Sequence, residues 1–194
     1  MSALTKTKKY TPEEYLALEE QAEFRSEYEN GEIVAMAGGS LNHLRIISNV
    51  SRLIGNKAAS DCESLPSEMK IRVEAIGKFY YPDVTILCGE PTLYRQRNDT
   101  ITNPRLIVEV LSASTEAKDR GEKFFAYQTL ESVQEYVLIS QTRAAVEQFI
   151  KQTDGSWKYL ATIGLESSVK LESIGVELTL EEIYQRVSFA GENL

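Results

Sequence analysis

The run Leu106-Ile107-Val108-Glu109-Val110-Leu111 constrains this chain more than any other segment. Five of its six residues are apolar. Such a run is expected of a strand covered on both faces, whereas a half-exposed strand alternates. The chain must therefore place a layer on each side of this strand. Glu109 stands in the middle of it. An ionised carboxylate is costly to bury unless it is paired. Glu109 needs water at a strand end, a basic partner or a metal ion.

The rest of the 194 residues supplies the layers. That length predicts one domain, taken as 10–194 after a Lys-rich flexible arm over 1–9. Thr11-Pro12-Glu13-Glu14 predicts a helix over 11–22, with Thr as N-cap, Pro at the first position and Glu three after the cap. Asn30-Gly31 predicts a hairpin within 24–36, with Glu27 on its first arm. After Gly38-Gly39, Ser40 reads as the N-cap of a helix running to about Ala59. Its stripe is Leu44, Ile47, Val50 (or Ser51) and Ile54, and His43 lies near its start.

From Glu68 the period becomes two. Met69, Ile71 and Val73 alternate with charged residues, which predicts a half-buried strand with Lys70 and Arg72 on a charged face. A second strand over 79–88 is interrupted by Pro82, and 89–103 is loop-like. A helix from Asp119 to Leu130, strands at 135–139, 145–151, 157–162 and 169–171, and a helix over 179–187 complete the chain. This order predicts an α/β (α+β) fold: a mixed sheet flanked by helices.

Composition excludes several function classes. Hydrophobic residues at 42% are too many for a disordered chain. No apolar run suits a bilayer, and none follows the N-terminal lysines as a secretory signal requires, so a cytoplasmic location with no membrane partner is expected. The net charge of -8 argues against a dedicated non-specific nucleic-acid binder, though not against a nuclease with a local basic patch. Two cysteines and one histidine make neither a disulfide framework nor a four-ligand zinc site. There is no Gly-rich phosphate loop and no Gly-x-Ser-x-Gly, and no organic cofactor is implied.

A second acid, Asp83, lies in Tyr81-Pro82-Asp83-Val84, again among apolar residues. Two neighbouring strands with one carboxylate each make a hard-oxygen site suited to Mg²⁺ (or Mn²⁺). Lys70 would share that cleft if strands 68–74 and 80–87 pair; otherwise it belongs to a solvated face. Glu27 is a third acid or an exposed strand residue. His43 is a proton acceptor near substrate or a structural histidine.

These residues occur in an ordered set. It comprises Tyr28-Glu29-Asn30-Gly31, Tyr80-Tyr81-Pro82-Asp83-Val84, Thr102-Asn103-Pro104, Ile107-Val108-Glu109-Val110-Leu111-Ser112, Asp119-Arg120-Gly121-Glu122-Lys123 and Glu135-Tyr136-Val137-Leu138. The combination, spread over residues 10 to 185, resembles the Uma-type restriction endonucleases of the PD-(D/E)XK nuclease superfamily. The resemblance implies a restriction-endonuclease-like core and Mg²⁺-dependent hydrolysis of DNA phosphodiester bonds. It makes Asp83 and Glu109 the metal-holding acids and places Glu27 near them. The superfamily's lysine two residues after the second acid is absent, since Leu111 stands there. Lys123, in the pattern Asp119-x-x-x-Lys123, is its replacement, with Lys70 as the alternative. Read without the resemblance, Lys123 makes an exposed helical ion pair with Asp119. Leu111 and the acidic balance favour a second reading, an inactive nucleic-acid-binding or protein-interaction module on a nuclease-type scaffold. A two-fold homodimer suits cleavage of a duplex, and the strands within 145–162 are a possible face for it.

Overall fold

The computed structural model describes residues 8–36 and 38–189, so the first seven residues of the expected arm lie outside the described residues. Helix α1 (Pro12–Glu19) opens on the predicted capping box, Thr11 with Glu14. Strands β1 (Ser26–Glu29) and β2 (Glu32–Ala35) form the hairpin. Asn30 and Gly31 both have positive φ there, as a tight two-residue turn demands. Helix α2 (Leu41–Lys57) follows, its first turn capped by the Ser40 hydroxyl. Then come β3 (Cys62–Pro66), β4 (Lys70–Val73), β5 (Lys78–Tyr80), β6 (Val84–Cys88), β7 (Thr100–Ile101) and β8 (Leu106–Leu111). A continuous helical stretch joins α3 (Glu116–Lys118), a π-helical turn (Asp119–Lys123) and α4 (Phe124–Gln128). Strands β9 (Glu135–Ser140), β10 (Ala145–Lys151), β11 (Trp157–Ile163), β12 (Ser168–Leu171) and β13 (Val176–Thr179) lead to α5 (Leu180–Ile183).

Two larger sheets stack. One has the order β11-β10-β9-β8-β6-β3 and the other β2-β1-β5-β4-β7; β12 and β13 pair separately. Both larger sheets are mixed, through the parallel pairs β8/β9 and β4/β7. The expected mixed α+β architecture is therefore observed.

Strand β8 is buried along its whole length. Leu106, Val108 and Val110 pack under α2 with Ile46, Ile47, Val50 and Ile54, joined by Val169, Leu178 and Ile183. Ile107 and Leu111 face the other way, onto Tyr127 of α4 and onto Ile71, Val73 and Tyr80 of the second sheet. This second face is the one Glu109 shares, because its number has the same parity.

Several expectations are corrected. The segment 79–88 is not one strand. The chain leaves the second sheet after Tyr80 and joins the first at Val84, and Pro82-Asp83 is the crossover. Pro82 thus costs no ladder bond. Strand β4 consequently pairs with β5 and β7 rather than with β6, and all four of its residues are buried. Its charged face is not solvated. Arg72 lies 4.5 Å over the Phe79 ring, and Lys70 bonds Asp99 at 2.5 Å and the Tyr81 hydroxyl at 3.2 Å. Leu44 is exposed, and Ile46 and Leu53 take its place in the helix stripe. The last helix starts at its expected cap, Thr179, but ends at Ile183, and Arg186 soon after takes a positive φ of 64°. Cys62 and Cys88 stand opposite each other in the unforeseen pair β3/β6 and form one cross-strand disulfide. No helix among the described residues is long and apolar enough to cross a membrane.

Lys70 and Asp99 belong to a network that ties α1 to β4 and the segment before β7. Arg97 bonds both Asp99 and Glu20, while the Tyr81 hydroxyl donates to Glu19. Burial works to raise the Asp99 carboxyl pKa, but the Arg97 and Lys70 hydrogen bonds outweigh it and hold it well below the usual range. A depressed folded-state pKa contributes stability that is complete above the unfolded value of ~3.9 and is lost as the pH falls through the folded value. Asp99→Asn should therefore lower stability at pH 7 by roughly 1–2 kcal/mol, discounted for partial exposure, and by much less at pH 2. Thermal melts of both proteins at the two pH values check this.

Candidate active site

Asp83 and Glu109 meet because of strand register. Val84 pairs with Val108 in the antiparallel β6/β8 ladder, so the preceding Asp83 falls opposite Glu109 on the same face. The Asp83 N–H points at Glu109 Oε2, 3.4 Å away. Asp83 Oδ2 accepts from the Val110 N–H at 2.7 Å. Its Oδ1 lies 3.1 Å from His43 Nε2. Both oxygens of Asp83 are thus held in place.

His43 reaches Asp83 from the first turn of α2. Gly39 permits this: a Cβ there would lie 2.6 Å from His43 Cδ2. Burial lowers the imidazole pKa, but the hydrogen bond and charge of Asp83 outweigh it and raise it above the ordinary value.

The helical stretch 116–128 supplies the cation. Lys123 Nζ donates to Glu109 Oε1 at 3.0 Å and lies 3.2 Å from Glu27 Oε1 and 3.3 Å from Asp119 Oδ1. The Asp119–Lys123 pair exists, but it is buried rather than exposed, with Asp119 at 1 % and Lys123 at 6 % relative exposure. The π turn spans these two residues; such turns are frequent at functional sites. Burial opposes the Lys123 charge, yet Glu109, Glu27 and Asp119 outweigh it, so its pKa is raised well above the ordinary value. Glu109 is also raised. Burial is the main cause; Lys123 opposes it, and the charges of Asp83, Asp119 and Glu27 add to it. Three carboxylates meet this buried ammonium and Asp83 stands beside Glu109; even with Lys118 on Glu27, the acids outnumber the lysines and leave a surplus of negative charge.

Glu27 comes from β1 and is held on its other oxygen by Lys118 at 2.7 Å. Tyr127 directs its hydroxyl at Glu109 Oε1 from 3.5 Å. The site opens into a cleft of about 410 Å³, a size usual for ligand sites. Gly38, Gly39 and Ser40 line one side of the cleft, and Ser112, Ser114 and Thr115 line another.

Five of the six residues singled out in the sequence therefore converge: Asp83, Glu109, Lys123, Glu27 and His43. Lys70 does not. It sits in the Asp99 network, because its strand belongs to the other sheet. Sequence reasoning missed Lys118 and the contribution of Asp119. Asp119 stands at the ordinary helical spacing from Lys123 and reads in the sequence as an exposed partner; Lys118 stands five residues before Lys123, a spacing that a π turn and not a regular helix brings together. Leu111 packs in the core and presents no charge.

The oxygens of Asp83 and Glu109 are the ones that could hold a cation jointly. Among the described residues, no three Asp, Glu, His or Cys side chains form a ready cage for a metal. Mg²⁺ does not need one, since one or two carboxylates, waters and substrate phosphate suffice. The surplus negative charge around Glu109 fits such an ion.

Comparison with known proteins agrees with this fold. The Uma2 family, described as "Putative restriction endonuclease", matches residues 12–181. The Synechocystis protein slr1290 is 40% identical over 184 residues, covering 93% of this chain and 94% of its own. A second Synechocystis protein, sll1609, is 36% identical over 171 residues, covering 88% and 97%. Among solved structures, one described as "a putative nuclease belonging to DUF820" from Anabaena variabilis superposes with a TM-score of 0.71. It is 18% identical and covers 90% of this chain and 97% of its own, a likeness of fold. On the family match and these relatives, the chain belongs to the Uma2 family of restriction-endonuclease-like proteins.

Proposed function

We propose that this protein is a Mg²⁺-dependent endonuclease that hydrolyses DNA phosphodiester bonds at the Asp83–Glu109–Lys123 cleft. The observation that carries this reading is the Lys123 ammonium 3.0 Å from Glu109, on the face where Asp83 and Glu109 are cross-strand neighbours. It counts against the alternative of an inactive module, since a cation reaches the acids from the helix although Leu111 stands in the usual lysine position.

Asp83 and Glu109 would hold the ion, which supplies a water of lowered pKa and offsets charge on the phosphate. The chain's own residues do the rest. The Val110 N–H and His43 orient Asp83, and Tyr127 and Lys123 orient Glu109. The surrounding acids favour the charged form of Lys123. It acts as a fixed positive charge beside the scissile phosphate, preorganised by Glu27 and Asp119. The hydroxyls of Ser112 and Thr115 at the cleft wall offer donors to neighbouring phosphate oxygens.

On supercoiled DNA with Mg²⁺ or Mn²⁺, the purified protein should nick or linearise the plasmid. Asp83→Asn and Glu109→Gln should each lower the rate by about 100-fold or more without loss of fold, the scale on which removing charge-stabilising groups acts. Undiminished cleavage by either variant would contradict the assignment. DNA affinity should also fall steeply with added salt, as phosphate contacts require; a flat titration would favour the module reading.

Lys123→Met should do more than slow turnover. It leaves Glu109 and Asp119 without their counter-charge, while Glu27 keeps Lys118, and should cost about 3–5 kcal/mol in urea unfolding at pH 7. Adding Glu109→Gln should recover part of that loss. If the two effects simply add, the pair is not coupled.

A further inference from the structure

Strand β11 is the last in the order β11-β10-β9-β8-β6-β3 and runs seven residues, Trp157–Ile163. A strand edge of that length is a template for another strand unless something blunts it. The other free edges of the two larger sheets are blunted. At the far end of the same sheet, β3 ends in Pro66 and is tied to α2 through the Ser51 and Ser64 hydroxyls. In the second sheet, β2 has four residues and carries Glu32, and β7 has two residues. Strand β11 has no proline, and its one charge is Lys158.

The phase of its backbone is set by bonds at the two ends of the β10/β11 ladder. Gln152 N–H donates to the Ser156 carbonyl, and Gly164 N–H donates to the Ala144 carbonyl. Hydrogen-bonded pairs alternate along an antiparallel ladder. The even-numbered residues of β11 therefore bond inward to β10. Trp157, Tyr159, Ala161 and Ile163 turn their N–H and C=O groups outward.

We propose that two copies of this chain form a homodimer by pairing β11 with β11 across a two-fold axis at Leu160. This register pairs all seven residues, and each outward N–H and C=O finds a partner. Trp157 falls opposite Ile163 of the second copy, and Tyr159 falls opposite its Ala161. Tyr159 and Ile163 are 53 % and 64 % exposed in the single chain, and the pairing covers them with apolar cross-strand neighbours. On the other face Leu160 meets its own counterpart. Lys158 falls opposite Thr162 rather than opposite its twin, so the one charge on the strand meets no like charge. Its ammonium lies 3.8 Å from Glu172 of its own chain. The net charge of -8 on each copy opposes association, so added salt should strengthen this dimer while it weakens contacts to phosphates.

Sedimentation velocity on the full chain at micromolar concentration and moderate salt should give twice the 21.8 kDa chain mass. Ala161→Lys places a charge in the interface from an exposed position. It should give a monomer with unchanged circular dichroism. Leu160→Cys should cross-link to itself on mild oxidation, since the two native cysteines are bonded to each other. A monomeric wild type, an Ala161→Lys variant that remains dimeric, or a Leu160→Cys variant that fails to cross-link would overturn the proposal. None of these readouts depends on nuclease activity.

Discussion

The structure turns on the compensation of one buried carboxylate. Glu109 is 3 % exposed in a strand covered on both faces, and burial of that kind demands a partner. Lys123 is that partner, and its presence dictates much else. The helical stretch must run back across β8, and it carries Asp119 and Lys123, four residues apart, to the carboxylates. The β1/β2 hairpin must bring Glu27 to the same ammonium, and Lys118 to Glu27. Helix α2 and the crossover at Pro82-Asp83 close the cluster from the opposite side. Both sheets and three helical segments thus meet at one charged knot.

Under the proposed function, that knot serves more than stability. Glu27, Asp119 and Glu109 outnumber the ammonium they share; burial is the main cause of the raised Glu109 pKa, and the charges of Asp83, Asp119 and Glu27 add to it. A pair kept only for packing would be served better by apolar side chains. Perturbed titration inside a cleft is common at reactive sites, and here the surplus charge has the sign that a divalent cation relieves.

The parts of this architecture that were legible in the sequence are those set by local rules. The capping box at Thr11, the turn at Asn30-Gly31, the Ser40 cap and the apolar run of β8 each declare themselves within a few residues. So did Asp83 and Glu109, as single acids among apolar neighbours. What was hidden depends on which sheet a strand joins. The alternation at 68–74 has the period of a half-exposed strand, yet β4 lies between β5 and β7. Its Lys70 and Arg72 are buried against Asp99 and against Phe79 and Tyr94. Likewise 79–88 is continuous in composition but divided between two sheets at Pro82. The Cys62–Cys88 bond depends on the β3/β6 pairing, for which the sequence around Cys62 carries little strand signal. Lys123 was found through family resemblance; its spacing from Asp119 matches an exposed ion pair equally well.

The most direct measurement of the central claim is manganese anomalous scattering from crystals of the wild type and of Asp83→Asn. A single peak between the Asp83 and Glu109 carboxylates in the wild type, absent in the variant, is the predicted result. No peak there, or an equal peak in both crystals, would contradict it.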